Sequence, residues 1–298
     1  MFMKKFISIY KIKKKTILSV LAFSYVTVLL LFGLIYWNIA NNSRGDFFVF
    51  QKDVNMTTKI DAFKKNLNIK IKSRELKSTV EDLINSDEYK RPFSNLEIVD
   101  DSGSSINVFS FDKSLGKLWA NYYSTLLKDK GVTHISLEDM GEDRVNSKFN
   151  SCKLKICFYT VNENETYKSF NCYKKSQANK LKKVDTKYMW VNDYTMFKSK
   201  FFKEDYFYYP LSFYFPKLVE NSISFLDNSP LVLKSVVCGN FKYPIENFIY
   251  FSAVTITTLG YGDILPNSTI VRFMVIMETI LGIIIVGTFT SCLFWNRN

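Results

Sequence analysis

Six consecutive residues, Thr258, Leu259, Gly260, Tyr261, Gly262 and Asp263, have the types and spacing from which a chemistry can be read. Gly260 and Gly262 lack a Cβ and tolerate dihedrals that other residues avoid. In ordinary strand geometry successive carbonyls alternate in direction. Unusual dihedrals at some positions can instead aim several of them at one axis. Oxygens arrayed in this way can replace the hydration shell of a cation and still release it. Thr258 can add a hydroxyl oxygen at one end, while the Tyr261 side chain would face away and brace the array. Glycine beside tyrosine also builds simple turns, so the surrounding chain has to decide.

The flanking residues favour the array. Pro244 stands where a helix can begin, its fixed φ and missing N–H harmless at a first position. Glu246 in the first turn suits the positive end of the helix dipole. From Pro244 to Thr257 the chain reads as a short, largely apolar helix through Ile245, Phe248, Ile249, Phe251 and Ala253. Such a helix spans ~20 Å, about two-thirds of a bilayer core. Its C-terminal end carries partial negative charge, which favours a cation. Ile270 to Trp295 is almost wholly apolar and long enough to span a membrane with some tilt. Irregular backbone at membrane depth is tolerated only where protein or a water-filled cavity covers it. A short helix and glycine strand before a spanning helix fit that rule.

These residues resemble a known family. The stretch from Tyr250 to Thr290 looks like the pore helix, selectivity filter and inner helix of two-transmembrane potassium channels, whose filter is usually written T-V-G-Y-G. The resemblance implies a homotetramer, with K+ coordinated at the filter by Thr258, Leu259, Gly260, Tyr261 and Gly262 and no other metal or cofactor. It implies filter support from Thr257, Tyr250, Phe251, Asp263 and Glu278, with Pro266 just beyond the outer mouth. Gly282 and Gly287 match inner-helix hinge or small-residue positions, and Ile283, Val286 and Thr290 would line the cavity. The sequence departs from the pattern at Leu259, where valine is commonest. It departs again at Val254, where some members carry a glutamate, and at Tyr250, where many carry a tryptophan.

Glu278 lies inside the second apolar run, and an ionisable residue there is a functional hypothesis by default. One reading has it face the back of the pore helix and bond the backbone or Thr257. The other has it lie shallow and reach headgroups. At the opposite end of the chain, residues 1–15 carry six lysines and no acid, and residues 16–39 form another apolar run of spanning length. The lysines place this end in the cytoplasm, and Tyr36 and Trp37 suit the far interface. A secretory signal would have a shorter core and a small-residue cleavage site. Phe2, Phe6, Ile9 and Ile12 suit an interfacial helix on an anionic leaflet, the alternative being a frayed basic tail.

With both termini cytoplasmic, residues 40–242 lie outside as an insertion far longer than the usual turret of the family. Residues 243–298 then form the pore. Between Asn41 and Asn240 there are 31 Lys and Arg against 25 Asp and Glu, a modest +6, and nucleic acid is not implied. Helical spacing recurs at Met56, Ile60, Phe63 and Leu67, and at Leu76, Val80, Leu83 and Ile84. It recurs again from Leu115 to Leu126, a helix read as capped by Ser114 and ended near Gly131. Hairpins are expected at Leu96–Ile98 with Ile106–Phe111, and at Lys153–Val161 with Tyr167–Tyr173. Cys157 and Cys172, set symmetrically about the second hairpin's turn, could bridge its strands, the alternative being reduced thiols. His134 reads as structural. The aromatic run Tyr194–Phe215 suits either core or an interface.

The expected fold is therefore an α-helical membrane protein with an α+β extracytoplasmic domain. The helical part has two transmembrane helices plus a re-entrant pore helix and filter, as a tetrameric pore. The leading function is a potassium-selective channel in a plasma or bacterial inner membrane, modulated from outside by that domain. Potassium ions, the lipid bilayer and further copies of the chain are its partners. The alternative is a non-conducting or regulatory sensor whose outer domain binds a ligand or protein. A membrane-anchored enzyme is the weakest class, since the insertion shows no phosphate loop, metal cluster or nucleophile motif. No voltage-sensing arginine helix is present.

Overall fold

The computed structural model describes residues 14–42, 47–86, 93–99, 105–111, 113–146, 149–161, 170–225 and 228–294. Residues 1–13, the turns at 100–103 and 162–165, the start of the expected strand at 167–169, and Trp295 lie outside them. In chain order the elements are α1 (Lys14–Asn42), β1 (Phe48–Phe50), α2 (Lys52–Leu67), α3 (Arg74–Asn85), β2 (Phe93–Val99), β3 (Ser105–Phe111), α4 (Lys117–Asp129), β4 (His134–Asn146) and β5 (Phe149–Val161). Then come β6 (Leu181–Val191), α5 (Tyr194–Phe201), β7 (Tyr209–Pro210), α6 (Leu211–Glu220), β8 (Ser222–Phe225), α7 (Ser229–Val237), α8 (Ile245–Ile256), β9 (Ile264–Pro266) and α9 (Thr269–Phe294). The chain divides into two compact units, one made of its two ends up to Thr58 and from Phe241, the other of Lys59–Asn240.

In the first unit, α1 and α9 are long and apolar enough to cross a membrane. Only 6% and 17% of their most apolar stretches are buried, unlike the core helices of a soluble protein. The short helix α8 packs against both. Its approach to α1 is close enough that a Cβ on Gly33 would lie 3.1 Å from the Ile249 Cα. Tyr36, Phe48, Phe248 and Phe251 form an aromatic core beside it. The Tyr36 and Phe251 rings meet edge-on at 5.1 Å, and Phe48 and Phe248 meet in the same way at 5.1 Å. At the end of α1, the Trp37 indole donates to the Tyr243 carbonyl, and Asn41 accepts from the Tyr243 N–H, fixing where the chain turns into α8.

The second unit holds a seven-stranded antiparallel sheet of order β2-β3-β8-β6-β5-β4-β7. Leu154, Ile156 and Phe158 alternate along β5 and are fully buried, as one face of a strand against a core should be. Phe158 meets Phe215 of α6, which meets Phe225 of β8, which meets Tyr123 of α4. The helices α3 and α4 form where the spacing predicts them. Ser73 caps α3 by accepting from the Leu76 N–H. The expected Ser114 cap is not made: α4 starts after Gly116, whose φ of +86° needs no side chain. The aromatic run from Tyr194 is largely core, with Tyr194, Phe197, Tyr208, Tyr209 and Phe215 buried.

The second expected hairpin is corrected. β5 pairs with β4 and β6, while Tyr173 makes only a bridge to Tyr208. The alternation of β5 was legible, but its partners are thirteen-residue and eleven-residue strands whose lysines and acids hid them from a hydrophobic pattern. With that hairpin goes the expected Cys157–Cys172 bridge. All five cysteines are free; Cys157 lies beside the Thr186 hydroxyl and Cys172 beside the Tyr214 hydroxyl.

His134, at the start of β4, is fully buried, with Nε2 on the Asn171 carbonyl and Nδ1 on the Thr133 hydroxyl, both at 2.9 Å. Burial pushes its pKa below the ordinary value, against a smaller upward pull from the Asn171 carbonyl. The unfolded chain therefore takes up a proton at a pH where the folded domain does not. The stability of this unit should fall as pH drops below about 6.5, by at most ~1.4 kcal/mol per pH unit, and level off below the folded pKa. Urea unfolding followed by tryptophan fluorescence checks this, and His134→Gln should flatten that segment of the curve.

Candidate ion-coordinating site

The site begins where α8 stops. Its last turn closes with the Thr258 N–H on the Thr255 carbonyl and the Leu259 N–H on the Val254 carbonyl, both at 3.0 Å. From there φ is positive at every second residue: +60° at Thr258, +57° at Gly260 and +76° at Gly262. A left-handed β-branched residue is an outlier that its surroundings must enforce. The alternation abolishes the ordinary pleat. Among the described residues the carbonyls of Thr258, Leu259, Gly260 and Tyr261 accept no hydrogen bond, and Gly262 receives only a long 3.4 Å contact from the Gln51 amide. Four adjacent carbonyls are thus left open to a ligand, at the negative end of a helix dipole. Among the described residues no group of three or more His, Cys, Asp or Glu could hold a metal ion.

The far end of this strand is fastened. β9 pairs with β1, Ile264 opposite Phe50, and the Gln51 N–H donates to the Asp263 carbonyl at 2.8 Å. The Asp263 carboxylate accepts from the Ile264 N–H at 3.0 Å, and the Tyr250 phenol lies close enough to feel its charge. Thr257 caps α8 and its hydroxyl donates to the Ala253 carbonyl. Phe251 does not share the exposed surface of Tyr250; it is buried within the chain against Tyr36 and Phe48.

Glu278 of α9 is fully buried and faces α8, but its partners differ from those expected. It pairs with the Ser252 hydroxyl and accepts from the Tyr36 hydroxyl at 2.8 Å, not from the backbone or Thr257. Tyr36, Ser252 and Gln51 were missed by sequence reasoning. The available signal is that a glutamate inside an apolar run needs donors, and a tyrosine that suits an interface can also be one. Gly282 lies against the last residue of α8: a Cβ there would be 2.6 Å from Ile256 Cγ1 and 2.8 Å from its carbonyl oxygen. A Cβ on Gly287 would meet nothing within 4 Å beyond its own helix. Ile283, Val286 and Thr290 lie at helical spacing on α9 and are exposed in the single chain.

A protein family described as "Ion channel" matches residues 224–294. Two curated plant proteins are similar over shorter stretches. Two-pore potassium channel 3 of Arabidopsis thaliana is 42% identical over 43 residues, which is 14% of this chain and 10% of the plant protein. Two-pore potassium channel 1 of the same plant is 32% identical over 60 residues, 20% of this chain and 16% of its own length. The chain therefore spans only a small part of these relatives. No solved structure matches it significantly. Over residues 224–294 the chain is similar to ion channels, a class of transport proteins rather than of enzymes.

Proposed function

We propose that the chain is one subunit of a potassium-selective channel. The observation that carries this reading is the alternating positive φ at Thr258, Gly260 and Gly262, with four unbonded carbonyls directly after the C-terminus of α8. K+ exchanges its hydration shell for these oxygens, and selectivity follows from the number and spacing of the carbonyl dipoles. One chain supplies one wall. Tyr261 and Leu259 are 63% and 59% exposed, and Ile276, Ile280, Ile283 and Val286 form an uncovered apolar face on α9. Four copies arranged around an axis would cover these groups and close the ring. In this assembly Ile283, Val286 and Thr290 line the inner cavity. The inner helix bends at Gly282 or Gly287, of which only Gly287 has open surroundings.

The lysine-rich end of α1 is cytoplasmic, both termini are inside, and residues 40–242 lie outside the cytoplasm in a cell membrane. That region modulates access or gating. A second reading, a ligand-recognising sensor, is favoured by a cavity of about 500 Å³ in the second unit. Its lining includes Leu137, Tyr194, Phe202 and Phe207, together with Lys198 and Lys203. Reconstitution into proteoliposomes with K+ and Na+ flux measurement tests the first reading. We expect K+ flux to exceed Na+ flux strongly. Equal permeation, or a well-folded tetramer without flux, would favour the second.

A further inference from the structure

Glu278 sits in a closed set of contacts that can be counted proton by proton. Its Oε2 faces the Tyr36 hydroxyl at 2.8 Å and its Oε1 faces the Ser252 hydroxyl. The Ser252 hydroxyl in turn lies 2.7 Å from the backbone carbonyl of Leu29 in α1. These are three hydrogen bonds, and each needs its own proton. Tyr36 supplies one and Ser252 supplies one. A carbonyl supplies none, and neither does an ionised carboxylate. A neutral carboxylic acid supplies the third. The Tyr36 O–H then donates to Glu278 Oε2, the Glu278 Oε1–H donates to Ser252, and the Ser252 O–H donates to the Leu29 carbonyl.

Among the described residues nothing else nearby fills the gap. Glu278, Ser252 and Tyr36 are all fully buried within a single chain, before any assembly. Of the groups that face the carboxyl, α1 contributes Tyr36 and, less directly, Tyr25, and α8 contributes Ser252. Among the described residues no lysine, arginine or histidine pairs with it. Arg272, the nearest cation along α9, donates to the Pro266 carbonyl. An unpaired carboxylate in this apolar setting would be strongly disfavoured.

We propose that Glu278 is a proton-holding positioning residue. As a neutral acid it ties α9 to α8 through Ser252 and to α1 through Tyr36, and its proton frees Ser252 to join α8 to α1. Loss of the proton removes one of the three links and leaves a charge behind the carbonyl array. The link to conduction rests on the channel reading above; the assignment of the proton does not.

The two are separable with the full chain in proteoliposomes. Infrared difference spectra at neutral pH should show the carbonyl stretch of a buried carboxylic acid, lost in Glu278→Gln. The band should shift in Tyr36→Phe, because the phenol bonds the carbonyl oxygen of the acid. Absence of any acid band belonging to position 278 would overturn the proposal whatever the flux. The band with no K+ flux would support the proton and sink the channel reading alone. In flux, glutamine places an N–H donor and a carbonyl acceptor where the acid has its own, so Glu278→Gln should stay within about twofold of the parent. Glu278→Ala, which leaves the buried Tyr36 hydroxyl without its acceptor and Ser252 without its donor, should lose about tenfold. Flux through the parent should decline at alkaline pH and that of the glutamine variant should not. A glutamine variant as impaired as the alanine variant, or declining with pH in parallel with the parent, would count against it.

Discussion

Gly262→Ala is expected to lower potassium-selective flux by about three orders of magnitude, with little change in expression or in the stability of the second unit. Gly262 has φ of +76° and Gly260 +57°. A Cβ in that region costs about 1–2 kcal/mol per residue, and in a ring of four copies about 4–8 kcal/mol. The strand can relieve the strain only by rotating a peptide, which takes a carbonyl away from the axis. Tracer flux in proteoliposomes measures the loss. Gly131→Ala is the control, because Gly131 also has a positive φ, +81°, but at the end of α4. It should shift the unfolding midpoint of the second unit and leave flux intact. Equal flux from the Gly262 variant and the parent would mean that these carbonyls do not carry the ion.

The second large effect is expected at Gly282. An alanine there would place its Cβ 2.8 Å from the Ile256 carbonyl oxygen, a backbone atom that cannot rotate away. Overpacking of this kind costs about 1–3 kcal/mol per chain. The atom that must give is two residues before Thr258, so the displacement passes into the carbonyl array. Gly282→Ala should lower both the thermal stability of the full protein and its K+ flux. Gly287→Ala, with nothing within 4 Å, should leave thermal stability unchanged or raise it by up to about 1 kcal/mol, through better helix propensity. If the two alanine variants proved equally stable, the close approach of α9 to α8 would be in error.

Much of the first unit was legible because its signals are local. Apolar length marked α1 and α9, Pro244 marked the start of α8, and two glycines marked the site. What the sequence hid were pairings across more than two hundred residues. Tyr36 with Glu278, Leu29 with Ser252, and Gln51 with Asp263 each join positions with no common period. Thr258 shows the limit from another side: nothing in a threonine announces a φ of +60°, which the neighbouring structure imposes. In the second unit the buried face of α3 was readable from Leu76, Val80, Leu83 and Ile84. The charged strands β4 and β6 were not, because Glu138, Asp139, Lys182 and Lys183 break the alternation that betrays a half-buried strand.

The β1–β9 ribbon is only three residue pairs long, yet it has a mechanical meaning. Gln51 closes it with a backbone bond to Asp263 and an amide contact to Gly262, and α2 begins at the next residue, Lys52. The Gly262–Asp263 end of the carbonyl array is therefore spliced to the residue that leads into α2. A displacement of Gln51 has one short lap joint to cross before it reaches Asp263.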